Sequence, residues 1–295
     1  MLDLLAIRWH VDPAIFRIGS FQLRWYSVLF VSGFILGWYI MKWIFRREKV
    51  SLKLLDPLLY TLLIATIVGA RLGHCLFYDA SYYFGTWKGF AEVFMPWKGG
   101  LASHGGTIAI ILALIWFCHK YGPKNGGMDF WWLTDRLVIP VSFAACFIRL
   151  GNIFNSEIYG DPTNLPWGFI FELRGETVPK HPTGLYEALT YLLLGILLLY
   201  LYKHHIKKFK RGQLLGIFMT VCFGMRFLIE FVKEEDVLFF NNTLNTGQLL
   251  SIPFIIGGIL IIILCGKYGN ARQELQFEAP PKKKPETHYA KSLNG

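Results

Sequence analysis

The sequence predicts an all-α integral membrane protein with seven transmembrane helices. Of its 295 residues, 54% are hydrophobic and only 17% are charged, whereas soluble domains hold roughly 45–50% apolar and about 25% charged residues. Seven segments reach the length of about 20 apolar residues that crosses the hydrocarbon core of a bilayer. Lysine and arginine are concentrated in the connections on one side of these segments. Together these three observations predict a polytopic bundle.

The seven segments follow one another along residues 1–267, which we interpret as a single transmembrane domain. The predicted spans are 22–44, 55–77, 101–119, 128–150, 184–202, 213–232 and 247–267. Residues 1–21 are mixed in polarity, and the first apolar run leads into positive charge without a small-residue cleavage site. We therefore expect no removable signal peptide, so that the first helix stays in the protein.

The distribution of positive charge predicts the orientation of the bundle. Connections after the odd-numbered spans carry most of the lysine and arginine, with clusters at 46–53, 203–211 and 267–284. By the positive-inside rule, the N-terminus lies outside and the C-terminus in the cytoplasm. The net charge of +10 then lies mainly at the cytoplasmic face, where anionic lipid is the expected partner. We expect no nucleic-acid partner.

Three segments outside the spans have distinct compositions. On the outer side, residues 78–100 (the arm segment) are rich in aromatic residues, and residues 156–183 (the cap segment) contain four prolines. Such segments suit the membrane interface, where they could cover a cavity. Residues 268–295 are polar, and we predict a disordered cytoplasmic tail. The five cysteines lie in or beside spans without metal-ligand spacing, so we expect buried thiols, no disulfide and no metal.

Polar side chains of six predicted helices fall at one level of the membrane. They are Tyr26, Arg71, His104, Arg149, Asn152, Glu187, Arg226 and Glu230. All lie toward the outer face, whereas polar groups with a purely structural role would be expected at both ends of the helices. Their convergence predicts one outward-facing polar cavity that holds at least two positive charges. The expected ligand is an anion in the outer leaflet.

Each of these residues also has a structural interpretation. Arg226 and Glu230 are i,i+4 neighbours and could simply neutralise each other. Arg149 and Asn152 are i,i+3 neighbours, which together could offer a guanidinium and an amide to phosphate oxygens. His104 precedes two glycines at a helix start, and a structural and a functional role are equally compatible with that position.

Two further polar features also have structural interpretations. Tyr26 could be an aromatic-belt residue at the membrane interface. Asp135 with Arg136 lies deeper in the fourth span and is interpreted as a structural pair. The spacings Gly33–Gly37, Gly69–Gly73 and Gly212–Gly216 predict close helix packing.

Five motifs, in this order along about 200 residues, resemble those of one known family. They are Arg24-Trp25-Tyr26-Ser27, Ser103-His104-Gly105-Gly106, the segment from Arg149 to Gly160, the segment from His181 to Glu187, and the segment from Arg226 to Phe231. This set is similar to the motifs of the bacterial prolipoprotein diacylglyceryl transferases. The chain departs from the family pattern at Ser27, Ile148, Gly184 and Cys222, and none of these departures removes a charged group.

The resemblance implies a transferase of the bacterial cytoplasmic (inner) membrane. Its substrates would be phosphatidylglycerol and the lipobox cysteine of a prolipoprotein signal peptide, and its active site would face the outer leaflet. The reaction would form a thioether, release glycerol phosphate and begin lipoprotein maturation. The nucleophile would belong to the peptide substrate, and no cofactor would be needed.

The resemblance, combined with the chemistry of the reaction, assigns roles to eight residues. A cysteine thiol, with a pKa of about 8.5, needs a base, and the departing phosphate needs cations. We therefore expect three catalytic residues: His104 as base, Arg226 at the leaving phosphate, and Tyr26. The residues expected to bind phosphatidylglycerol are Arg149, Asn152, Glu157, Gly160 and Glu230.

Two other classes of function fit the composition less well. A transporter of anionic lipid could use the same arginines, but it would be expected to show repeat symmetry or discontinuous helices. An intramembrane serine hydrolase could use Ser103 and His104. However, adjacent residues of a helix do not face each other, and no Gly-x-Ser-x-Gly stands nearby.

Overall fold

The computed structural model describes residues 6–19, 21–234, 238–239, 244–271 and 273–277. Nine α-helices dominate these described residues, seven of them long and two short. Their bounds are α1 Trp25–Arg47, α2 Leu55–Phe77, α3 Ala80–Gly85, α4 Trp87–Val93, α5 Ser103–Tyr121, α6 Phe130–Phe154, α7 Thr183–His205, α8 Gln213–Ile229 and α9 Thr246–Tyr268.

The seven long helices coincide with the seven predicted spans to within about three residues at most ends, and successive long helices alternate in direction. The bundle therefore has two ends. The arm end carries residues 78–102 and 155–182, and the loop end carries residues 48–54, 122–129, 206–212, 269–271 and 273–277. Backbone hydrogen bonds join neighbours at each end, such as Ala102 N to Ala70 O and Arg211 N to Asn270 O.

Six helices in the described part of the chain are long and apolar enough to cross a membrane. These are α1, α2, α6, α7, α8 and α9, and they confirm the prediction of an all-α integral membrane protein. The third predicted span, α5, is not among the six, because polar residues occupy both of its ends, including Ser103, His104, His119 and Lys120. The count of seven spans and the orientation stay predictions.

Glycine allows the closest helix contact in the bundle. Helix α2 packs mainly on α5, where a Cβ on Gly73 would lie 2.6 Å from the Cα of Gly105. Helix α1 packs on α6 in the same way, because a Cβ on Gly33 would lie 3.1 Å from the Cα of Ala144. The close helix packing that was predicted from the spacings Gly33–Gly37 and Gly69–Gly73 is confirmed.

The hydrophobic core lies toward the loop end. Its fully buried side chains come from five helices: Ile44, Phe45, Phe117, Trp132, Leu133, Ile139, Leu198, Tyr202 and Leu214. Helices α2 and α5 join this core only through their loop-end residues, which include Leu58 and Leu114. Toward the arm end, the α2–α5 pair has few contacts with the other long helices. All five cysteines are buried thiols.

Asp135 and Arg136 are buried in α6, but they do not form the expected pair. The Asp135 carboxylate accepts hydrogen bonds from Gly212 N at 2.7 Å and Leu215 N at 2.9 Å, at the start of α8. The Arg136 guanidinium lies 3.0 Å from Glu48 instead. Adjacent helical residues point in directions about 100° apart, so each finds its own partner. Both groups are structural, as predicted, but with different partners.

The chain beyond α9 returns to the core at the loop end. Gln273 is buried, its carbonyl accepts from Trp132 Nε1 at 3.0 Å, and its side-chain oxygen accepts from Arg136 at 2.8 Å. The disordered tail was predicted from residue 268 onward, and the described residues 273–277 differ from that prediction because Gln273 satisfies a buried guanidinium. Residues 278–295 of the predicted tail lie outside the described residues.

Three two-stranded sheets among the described residues lie at the arm end. Strand β1 (Ile7–Trp9) pairs in parallel with β4 (Phe169–Phe171), and β2 (Ala14–Ile18) pairs with β3 (Phe21–Arg24) in a hairpin that leads into α1. The short β5 (Leu238–Phe239) pairs with β6 (Leu244–Asn245) between α8 and α9. The first sheet ties the N-terminus to the cap segment.

Candidate active site

The turn after α6 has an unusual backbone conformation. Ser156 and Ile158 both adopt the left-handed region, with φ of 53° and 57°. This is rare for a β-branched residue, and such strain persists only where the surroundings hold it. The start of α7 does so, because Gly184 N and Thr183 Oγ1 both donate to Ile158 O, at 3.1 and 2.9 Å. The turn is therefore fixed between two helices.

A row of polar contacts begins in the last turn of α6. Arg149 Nε lies 2.7 Å from Glu187 Oε2 of α7, and these side chains are 17% and 1% exposed. Arg149 Nη1 donates to Asn152 Oδ1 at 3.3 Å, and Asn152 Nδ2 donates to Glu157 Oε2 at 3.2 Å. We call these four residues, Glu187, Arg149, Asn152 and Glu157, the polar row. It runs from the bundle interior to the strained turn.

The polar row has unused hydrogen-bonding capacity. A guanidinium has five N–H donors, and the hydrogen bond to Asn152 is the one that Arg149 makes within the described part of the chain. Neither carboxylate oxygen of Glu187 accepts a hydrogen bond from a described residue, although both are buried. Buried polar groups normally have partners. The Arg149 guanidinium of the row is therefore suited to bind a ligand that has acceptors.

Arg226 of α8 faces the same interior space as Arg149. Arg149, Glu187 and Arg226 all lie within electrostatic range of the Tyr191 phenol of α7. The two arginines therefore lie near one region between α6, α7 and α8.

Glu230 has several partners at the end of α8. Arg226 Nε lies 3.6 Å away, whereas Lys233 Nζ lies 2.9 Å away and Asn245 Nδ2 donates to the carboxylate at 3.3 Å. Gly247 packs so closely on this carboxylate that any side chain there would collide with it. Glu230 is thus held by Lys233 and the start of α9. This geometry favours a role for Arg226 beyond neutralising Glu230.

Tyr26 and Gly160 lie beside the polar row. The Tyr26 ring covers Gly151, where an added Cβ would lie 2.8 Å from Tyr26 Cδ2, so it is next to Asn152 on α6. Gly160 N donates to His181 O at 2.8 Å, and any side chain at Gly160 would collide with the Val232 carbonyl. Gly160 therefore allows the cap segment to approach the end of α8.

A buried lysine fastens the cap segment. Lys180 Nζ lies 3.2 Å from Glu176 and 3.0 Å from Glu234, which follows α8. Burial lowers the pKa of Lys180, but its hydrogen bonds to Glu234 and Glu176 outweigh burial and raise it. The ammonium group is therefore charged at neutral pH and holds the cap over the arm end of the bundle.

His104 and Arg71 lie outside the polar row. The ring of His104, at the start of α5, is exposed and lies 5.7 Å from the ring of Phe77 at the end of α2 and from the ring of Tyr78, which follows it. No contact among the described residues joins His104 to Arg149 or Arg226. The Arg71 guanidinium donates to four backbone carbonyls of the arm segment and its end, those of Glu92, Val93, Gly99 and Gly100. Arg71 was expected in the cavity, but its donors are already used by the arm segment.

Comparison with known proteins identifies the family. The family model described as prolipoprotein diacylglyceryl transferase matches residues 13–264. The chain belongs to the prolipoprotein diacylglyceryl transferase family. The matched residues include all eight predicted site residues, and the family match therefore confirms the resemblance.

Relatives of this family align over almost their full length. A protein of Porphyromonas gingivalis is 44% identical over 273 residues, which cover 87% of this chain and 94% of the relative. A protein of Tolumonas auensis is 42% identical over 260 residues, covering 88% of this chain and 97% of the relative. A protein of Bacteroides fragilis is 40% identical over 274 residues, covering 90% and 97%. Each is named phosphatidylglycerol–prolipoprotein diacylglyceryl transferase.

Three residues make contacts in the site, although the sequence analysis assigned them no role. Glu187 was placed at the level of the cavity without a role, and it proves to be the ionic partner of Arg149. Lys233 and Asn245 hold Glu230, and neither was considered. Asn245 had a sequence signal, because Asn245-Thr-Gly-Gln248 forms a capping box at the start of α9. Lys233 had none beyond its i,i+3 spacing from Glu230.

Proposed function

We propose that this member of the diacylglyceryl transferase family transfers the diacylglyceryl group of phosphatidylglycerol to the lipobox cysteine of a prolipoprotein. The transfer takes place in the bacterial cytoplasmic membrane and is the first step of lipoprotein maturation. Family membership and the names of the relatives support this function. The observation that carries it is the partly buried Arg149, which makes one hydrogen bond to a described residue and lies near a second arginine, Arg226.

The reaction requires one bond to form and one to break. The thiol sulfur attacks the glyceryl carbon that carries the phosphate ester, so a C–S bond forms while the C–O bond breaks. The electron pair of the broken bond leaves on an oxygen of glycerol phosphate, and the thiol proton passes to a base. Negative charge therefore grows on the phosphate in the transition state, and cations placed there lower the barrier.

Arg149 and Arg226 stabilise the negative charge of the phosphate at two different positions. Arg149 holds the phosphate of phosphatidylglycerol together with the amide of Asn152, because a guanidinium binds phosphate oxygens in a planar fork. Arg226 meets the charge that develops on the leaving oxygen, since Glu230 is already held by Lys233 at 2.9 Å. Removing one such donor typically costs about 10²–10³ in turnover.

Neighbouring residues hold these groups in place. Glu157 fixes the Asn152 amide and presents a carboxylate to the glycerol hydroxyls. Glu230 is a positioning residue, because it joins the end of α8 to the start of α9. Tyr26 lies over Gly151 and limits the space beside Asn152. Gly160 serves the site through its backbone, by letting the cap segment close on Val232.

His104 remains the proposed base, on the other side of the substrate. It projects from α5, and the α2–α5 pair has few contacts with the other long helices toward the arm end. A peptide thiol between His104 and the polar row would have its base on one face and the phosphate cations on the other. We place this arm end in the outer leaflet and count α5 as the seventh span, as the lysine and arginine distribution predicts.

The decisive experiment is mass spectrometry of a lipobox peptide incubated with the purified protein and phosphatidylglycerol. A diacylglyceryl adduct on the cysteine, with glycerol phosphate released in equal amount, is the expected result. A peptide whose cysteine is replaced by serine is the matched control and should stay unmodified. Cleavage of the peptide would indicate a protease, and an unchanged peptide with lipid moved between leaflets would indicate a transporter.

A further inference from the structure

A second polar cavity opens at the arm end, beside the outer member of the polar row. It has a volume of about 290 Å³ and lies between the β2–β3 hairpin, the strained turn and the turn after β4. Its polar lining consists of Arg17, Gln22, Arg24, Asn155, Glu157 and Arg174. Glu157 belongs both to this cavity and to the polar row, so the cavity adjoins the proposed phosphate site.

The cavity carries more positive than negative charge. Arg17 is neutralised by a bidentate pair with Asp12, at 2.6 Å for both hydrogen bonds. Arg24 lies within 4 Å of no carboxylate of the described residues, and its side-chain hydrogen bond to Gln22 is long, at 3.4 Å. Arg174 lies 3.9 Å from Glu157, the nearest carboxylate. Two guanidinium groups therefore face one carboxylate, which favours an anionic ligand.

The lining also suits a ligand with hydroxyl groups. Glu157, whose side chain is 42% exposed, can accept hydrogen bonds from hydroxyls at both carboxylate oxygens. An acyl chain does not suit this lining, because burying charged groups against hydrocarbon is costly. Cations on one side and acceptors on the other therefore select a phosphate monoester that carries hydroxyls.

We infer that this cavity is a leaving-group subsite that receives glycerol phosphate after the C–O bond breaks; the inference rests on the proposed transfer reaction. The product is a small dianion with two hydroxyls, and it must leave the lipid-facing site for water. The cavity volume of about 290 Å³ corresponds to roughly ten water molecules at about 30 Å³ each, and glycerol phosphate has about ten non-hydrogen atoms. Glu157 links the two sites, because it contacts Asn152 on one side and lines the cavity on the other.

The test measures binding of glycerol 1-phosphate to the detergent-purified protein by isothermal titration calorimetry. Wild type should bind it and should not bind uncharged glycerol. In Arg24→Gln/Arg174→Gln the Kd should rise at least about tenfold, since hydrogen bonds to a charged group are lost. Arg8→Gln is the matched control, because Arg8 lies on the same surface but pairs with Glu172 outside the cavity lining. It should bind like wild type.

Three results would overturn the subsite: no binding by wild type, equal binding by the double variant, or an equal loss in Arg8→Gln. If the KM for phosphatidylglycerol rises by the same factor as the Kd, the cavity holds the lipid headgroup before transfer, and the leaving-group assignment is wrong. If the double variant is unstable, the binding of glycerol 1-phosphate is measured with the single variant Arg24→Gln instead. Binding is measured without turnover, so a wild type that binds but transfers nothing refutes the proposed function separately.

Discussion

Replacing Arg149 tests structure and chemistry together, because its partner Glu187 is buried. In Arg149→Ala, the Glu187 carboxylate, which is 1% exposed and accepts no hydrogen bond from any described residue, would lose its ionic contact at 2.7 Å. Removing one partner of a buried pair costs about 3–5 kcal/mol, against a total stability of about 5–15 kcal/mol for a typical protein. We therefore expect Arg149→Ala to be inactive and also to unfold at a clearly lower temperature.

The double variant Arg149→Met/Glu187→Leu separates the two effects. Removing both charges leaves no unpaired ion, so its melting temperature in detergent should return close to that of wild type. Its transfer activity should stay at background, because the phosphate has lost its cation. Arg149→Lys keeps the charge without the planar fork, and it should recover stability more than turnover.

Two measurements on the same preparations separate the effect on stability from the effect on catalysis. Tryptophan fluorescence monitors thermal unfolding, and mass spectrometry monitors transfer to a lipobox peptide. A double variant that is stable and active would eliminate the phosphate role of Arg149. A single variant, Arg149→Ala, that melts with wild type would instead show that Glu187 does not depend on its partner, and the cost derived from burial would be wrong.

One substitution and one truncation test the two ends of the bundle. Arg226→Met should fold, because Glu230 keeps its other partners, while its turnover should fall about 10²–10³-fold with little change in lipid affinity; near-normal turnover would contradict the role at the leaving phosphate. A chain that ends after residue 267 should melt lower than one that ends after residue 277, because only the longer one keeps Gln273 on the buried Arg136. Equal melting temperatures would show that this contact contributes nothing.

The long helices could be predicted because each is a continuous apolar run with its own local signal. The strands could not, because β1 pairs with β4, more than 150 residues away, and each contributes only three residues. Such short pairings have no periodic pattern that distinguishes them from a loop. The β2–β3 hairpin and the turn after β4 nevertheless build walls of the second cavity, so this part of the site required the structure.

The sequence could predict at which end of its helix a polar residue lies, but it could not predict the partner of that residue. Arg71 and Arg149 both lie near the arm end of a helix, and hydropathy treats them alike. The arm segment turns its carbonyl groups toward Arg71 and uses its donors, whereas α7 offers Arg149 a single carboxylate. The difference depends on backbone groups of an irregular segment, which composition does not place. Sequence alone therefore placed Arg71 in the cavity, whereas the structure places its guanidinium on the arm segment.

The charge of the interior site explains why an anionic lipid suits it. Arg149, Arg226 and Lys233 face Glu187 and Glu230, while Glu157, the other carboxylate of the polar row, lies 3.9 Å from Arg174. Positive charges therefore exceed negative charges by one among these residues, and the effect is larger where the dielectric constant is low. The phosphodiester of phosphatidylglycerol carries one negative charge and no cation, so binding neutralises the site. A zwitterionic phospholipid would bring an ammonium group next to the same arginines, where like charges disfavour it. The site should therefore select phosphatidylglycerol over phosphatidylethanolamine mainly by the charge of the headgroup. When the two lipids compete in the peptide assay, the preference for phosphatidylglycerol should change little if only the acyl chains are varied.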